Sequence, residues 1–145
     1  MLTYEKITLK NIKDFSRLQI TAEQKKLLPV SHLKTLWHSI RIRYAQLFLI
    51  RNDREAVGCI LLYPYPKYNK YNVGRLYIDQ KWQGKGYGKE ALLWGMEKLK
   101  EKGAPRILLS VHQDNVVAKK LYESVGFEYT DMCWGQELVM RFVCK

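Results

Sequence analysis

Ile78-Asp79-Gln80-Lys81-Trp82-Gln83-Gly84-Lys85-Gly86-Tyr87-Gly88-Lys89 is the stretch whose reading decides the fold of this chain. An apolar alternating run from Val73 to Ile78 ends in it, three glycines crowd a turn, and a helical pattern begins at once. Strand, glycine turn and helix leave backbone N–H groups unpaired at the helix start, where the helix dipole also favours negative charge. Gly84, Gly86 and Gly88 permit positive φ and let a ligand come close to the backbone. Lys85 and Lys89 add positive charge. The stretch predicts an anion site, for a phosphate or pyrophosphate.

Spacing narrows the anion. A P-loop needs G-x-x-x-x-G-K-[ST], but three residues separate Gly84 from Gly88, and Glu90 follows Lys89. The dinucleotide fingerprint G-x-G-x-x-G fails too, because the third glycine comes one position early. What fits is Q-x-x-G-x-G, as Gln83, Gly86 and Gly88. One strand–helix unit later, Asn115, Ala118, Tyr122, Gly126 and Phe127 fit N-x-x-A-x-x-x-Y-x-x-x-G-F. In order and separation the two motifs resemble those of the GNAT (GCN5-related N-acetyltransferase) family, over about residues 73–130. Within it, the Gln-Gly-Lys-Gly-Tyr-Gly turn and the Lys120-Leu121-Tyr122 context look most like the polyamine (spermine/spermidine) acetyltransferase branch.

The resemblance implies an α/β (α+β) fold: a mixed sheet of six to seven strands, with parallel strands 4 and 5 splayed apart, flanked by about four helices. It implies acetyl-CoA as co-substrate and no metal. The pyrophosphate would sit on the backbone of Gln83, Gly84, Lys85, Gly86, Tyr87, Gly88 and Lys89, and the pantetheine along Tyr77, Ile78 and Asp79. Asn115 would contact the pantetheine arm or serve as a helix cap, and Lys119 would join the cofactor side. Tyr122 corresponds to the family's general acid, and the Ile78 backbone N–H is the candidate oxyanion donor. A neutral amine attacks a thioester without a covalent enzyme intermediate, so placement and one hydrogen-bond donor suffice.

The general base is not visible. Many relatives carry a glutamate early in strand 4, where this chain has Asn72, Val73, Gly74 and Arg75. Water-mediated deprotonation is the default, with His112 as an outside candidate. The acceptor is read as a primary amine of a small molecule, polyamine-like by resemblance. A peptide or protein amine is the runner-up, and a CoA-binding regulatory or nucleic-acid-binding module without turnover is the reading from another class. Glu128, Asp131 and Glu137 are the carboxylates available for an acidic lip.

Composition sets the bounds around this reading. At 145 residues the chain is expected to make one domain spanning 1–145, long enough for a single core, and by the resemblance an N-acetyltransferase domain. Net charge is +11, and residues 1–72 hold 13 basic against 5 acidic side chains. The basic residues are scattered, with no arginine run or aromatic platform, which argues against nucleic acid. No apolar run approaches the roughly 20 residues of a membrane span, and the N-terminus lacks an apolar signal core, so a cytoplasmic protein is expected. Cys59, Cys133 and Cys144 lack C-x-x-C spacing and read as reduced thiols. Exposed tyrosines and tryptophans are compatible with the homodimers common in the family.

Periodicity supplies the remaining elements. Strands are expected over 3–9, 46–51, 56–63, 73–78, 107–111, 127–132 and 137–143. Helices are expected from Asn11 to about Ile20, from a Ser31 cap to about Arg43 with Leu33, Leu36, Trp37 and Ile40 buried, up to about Lys102 after the glycine turn, and after Asn115. Two prolines argue against a central strand over 63–71, whose tyrosines either pack on neighbouring strands or form a lip over a cleft.

Overall fold

The computed structural model describes residues 1–22, 24 and 32–145, the side chains of residues 32, 33 and 38 excepted. Seven strands form one sheet: β1 (Leu2–Lys6), β2 (Gln46–Asn52), β3 (Glu55–Tyr65), β4 (Lys70–Ile78), β5 (Arg106–His112), β6 (Glu128–Trp134) and β7 (Glu137–Val143). Their order is β1-β2-β3-β4-β5-β7-β6, and β4–β5 is the parallel pair. Among the described residues the helices are α1 (Ile12–Ser16), α2 (His32–Arg41), α3 (Tyr87–Glu101) and α4 (Val116–Val125).

Both faces of the sheet are covered, and the buried run Val57–Leu62 of β3 shows why. Ile60 and Leu62 pack with Leu92, Met96 and Leu99 of α3, while Cys59 and Leu61 pack with Phe15 and Leu18 on the other face. A strand buried on both faces reads as continuously apolar rather than alternating. Gly95 lets α3 cross β3 closely, since a Cβ there would stand 2.7 Å from Ile60 Cδ1. Gly103 (φ 95°) and Gly126 (φ 113°) supply the left-handed residues that end α3 and α4.

Three expectations need correction. First, α1 stops at Ser16 rather than Ile20, because the chain is drawn off to dock beside β4: the Gln19 N–H donates to Asp79 Oδ2 and the Gln80 N–H to Gln19 O. Asn11 does not cap it through its side chain, whose Oδ1 accepts from the Thr8 N–H while Nδ2 donates to Lys6 O. Second, Trp37 and Ile40 of α2 are exposed (57% and 72%), not core; the Ser31 cap and the Leu33 side chain lie outside what is described.

Third, β3 runs on to Tyr65 rather than ending at Tyr63 and takes in Pro64, though not as a central strand. β3 pairs with β2 only up to Leu62, so Pro64 has β4 on one side alone and no second ladder to break. Of the two readings of this segment's tyrosines, packing is the one the structure follows. Tyr65 stacks on Tyr44 with centroids 3.7 Å apart, and the buried Tyr71 donates its hydroxyl to Lys102 O. Tyr63 covers Gly74, where a Cβ would stand 2.0 Å from its ring.

Candidate active site

The site begins with a break in β4. Leu61 pairs with Arg75 and Leu62 with Val73, so Gly74 is an extra residue, a bulge that bends the strand. The β4–β5 ladder has one registered pair, Asn72 with Leu108, and the strands separate beyond it. The Asp79 N–H donates to Val57 O, which turns it toward β3; alternation turns the Ile78 N–H the opposite way, toward β5. Ile78 O also faces away from β3 and accepts from Gln83 Nε2 at 2.9 Å.

Past the strand end, a single 3-10 turn (Gln80–Trp82) is held by Asp79, whose Oδ1 accepts from the Lys81 N–H. Gly84 and Gly86 have φ of 78° and 84°, and a Cβ on either would meet nothing within 4 Å. Gly86 is the N-cap of α3, with no side chain to satisfy the first N–H groups. Gly88 lies within α3 without positive φ; a Cβ there would touch Leu121 and Ile78 at 3.7 and 3.8 Å. The turn is open on one side and rich in free donors.

A cavity of about 360 Å³ lies between this turn and α4. Of the residues expected from the sequence, Tyr77, Ile78, Gln83, Gly84, Gly86, Tyr87, Gly88, Lys89, Asn115 and Tyr122 line it. Asp79, Lys85 and Lys119 do not. Asp79 is buried and spends both carboxylate oxygens on the Gln19 and Lys81 N–H groups, so its work is scaffolding. Gln83 also exchanges amide hydrogen bonds with Gln24, tying the turn to the chain after α1. Asn115 is an N-cap, its Oδ1 accepting from the Ala118 N–H at 3.2 Å. Gln24, Leu76, Trp82, Val117, Ala118 and Leu121 complete the walls and were not foreseen. Ala118 and Leu121 are spaced to face the sheet, a pattern that reads as ordinary core until an open cleft is known, whereas Val117 is exposed.

A second, narrower recess adjoins the first, between β4, β5, α4 and the start of β7. Leu76, Tyr77, Asn115 and Tyr122 line both, so Tyr122 stands where they meet. Burial pushes the Tyr122 hydroxyl up to about 12, helped by the Glu137 charge and opposed by Arg75. It keeps its proton at neutral pH and can donate. Glu137 Oε1 accepts from Ser110 Oγ at 2.6 Å, and both residues line the recess. His112 lines it too, but its Nδ1 accepts from the Asp114 N–H at 3.1 Å and organises the turn into α4. The expected acidic lip shrinks to Glu137, since Glu128 and Asp131 line neither space.

Among the described residues there is no group of three or more His, Cys, Asp or Glu able to hold a metal, and no helix long and apolar enough to cross a membrane. Burial raises the Cys59 thiol to about 12, so it supplies no thiolate.

The chain resembles a [ribosomal protein bS18]-alanine N-acetyltransferase of Haemophilus influenzae, 34% identical over 82% of this chain and 78% of that protein. A spermine/spermidine N(1)-acetyltransferase of Bacillus subtilis is 31% identical over 61% of this chain and 63% of its own length. Mycothiol acetyltransferases match a shorter part: the chain spans 21% of the Thermobifida fusca protein, at 39% identity over 69 residues. The solved PaiA N-acetyltransferase of Thermoplasma acidophilum, in complex with coenzyme A, shares the fold with a TM-score of 0.76, 21% identity and 99% coverage of both chains. The model of the Acetyltransferase (GNAT) family matches residues 13–127, and the chain belongs to that family.

Proposed function

We propose that this protein transfers the acetyl group of acetyl-CoA to a primary amine by direct attack in a ternary complex. The observation that carries the reading is the splay of β4 from β5, which turns the Ile78 N–H into a cavity that Tyr122 also lines. A thioester placed there would have a donor for its developing oxyanion on one wall and a proton for the leaving thiolate on the other. The open turn at Gly84 and Gly86 and the first N–H groups of α3 suit a pyrophosphate, and Lys89 lines the same space. The known relatives support the donor: one solved structure of this fold holds coenzyme A.

For the acceptor, the recess beside Tyr122 presents one carboxylate, Glu137, and one guanidinium, Arg75. A narrow recess of this kind suits a single amine head group of a small molecule. A long polycation would need further carboxylates that the recess walls lack. A peptide N-terminus is the second reading, favoured by the relative matched over most of both chains.

The test is thiol release from acetyl-CoA with a panel of primary amines, spermidine and an alanine-initiated peptide included, beside thermal unfolding with CoA. Binding at 100 times the dissociation constant adds about 2.7 kcal/mol of stability. Turnover with one amine class identifies the acceptor. Stabilisation by CoA with no turnover on any amine would turn the reading to a non-catalytic CoA-binding module.

A further inference from the structure

We infer that Glu137, from β7, is the general base that removes the proton from the acceptor ammonium; the inference rests on the acetyl-transfer reading and names the residue that completes it. The recess of Glu137 meets the larger cavity at Tyr122, so an amine entering through the recess reaches the thioester position past this carboxylate. β7 runs antiparallel to β5, with His112 opposite Glu137 and Leu138 opposite Val111, which brings the start of β7 to the splayed end of β5. The Ser110 hydroxyl donates to Oε1, fixing the carboxylate and leaving Oε2 for the incoming nitrogen. β4 carries no carboxylate between Lys70 and Ile78.

The other groups facing Glu137 fit the role. Arg75 on β4 lines the same recess, Tyr122 on α4 is neutral at working pH, and His112 on β5 has its Nδ1 engaged by the Asp114 N–H. The step balances. An N–H bond of the ammonium breaks and its proton passes to Glu137, then to solvent. The freed lone pair forms the N–C bond and the C–S bond breaks. The thiolate takes the Tyr122 proton, and the second nitrogen proton, lost as the amide forms, restores the tyrosine.

Glu137→Gln tests this, because glutamine still accepts from Ser110 and nearly preserves shape. With an alkyl primary amine near pH 7, kcat/KM should fall on the order of a hundredfold. The deficit should shrink as pH approaches the amine's own pKa, and should be absent for a weakly basic amine already neutral in the assay. The thermal shift given by CoA should match wild type, since Glu137 is outside the larger cavity. A deficit equal at every pH and for every amine, or no deficit, overturns the assignment alone. No turnover by wild-type protein with any amine overturns it together with the acetyl-transfer reading.

Discussion

The two halves of the cleft are built in opposite ways. The cofactor half is nearly one continuous segment, from Leu76 through the glycine turn to Lys89, closed by one face of α4. The acceptor half is assembled from β4, β5, α4 and β7, drawing Arg75, Ser110, His112 and Glu137 from separate parts of the chain. A contiguous segment carries its chemistry in its spacing, because backbone groups and glycines must follow one another to cradle an anion. A site assembled across a sheet carries none, because its members meet only through strand register. Such a division lets β7 and β4 side chains change without touching the turn.

The largest effect that separates the halves is expected at their junction. Tyr122→Phe should lower kcat by on the order of a hundredfold to ten-thousandfold, with CoA affinity unchanged. Full activity in a thiol-release assay would remove Tyr122 as the acid. Since burial holds this hydroxyl protonated up to about 12, wild-type kcat should show no tyrosine ionisation limb near the ordinary value of about 10.

A smaller effect should fall on the cofactor half alone. Gly86→Val forces a β-branched residue to φ 84°, at a cost of about 1–3 kcal/mol, and should weaken the CoA thermal shift about tenfold or more in apparent affinity. The amine KM should move little; if it rose as much as the CoA constant, the halves would not be separable.

Much of this was legible because glycine, asparagine and tyrosine at fixed offsets have few other uses. The turn at Gly84 and Gly86, the Asn115 cap and the position of Tyr122 were readable in order. Asp79 was misplaced because alternation along β4 turns its N–H to β3 and its carboxylate toward Gln19, which no spacing reveals. Glu137 was one of three acidic candidates until register with His112 brought it to the recess. Trp37 and Ile40 have helical spacing without a partner on the sheet, so periodicity alone overstated their burial. The prolines rightly argued against a central strand, but that β3 runs on past Tyr63 along β4 was not readable, because the end of the β2 ladder at Leu62 is a tertiary fact.

The smallest predicted effect tests the bulge that separates the two halves. Gly74→Ala puts a Cβ against the Tyr63 ring and should cost about 1–3 kcal/mol in thermal unfolding, while leaving the glycine turn intact. If stability were unchanged, the Tyr63 ring would not be packed against Gly74.

A crystal structure with CoA bound tests the shared cleft most directly. The pyrophosphate is expected on the backbone of Gly84 to Lys89, the pantetheine between β4 and β5, and the sulfur within about 3.5 Å of the Tyr122 hydroxyl. A pyrophosphate elsewhere, or a thiol pointing away from Tyr122, would contradict it.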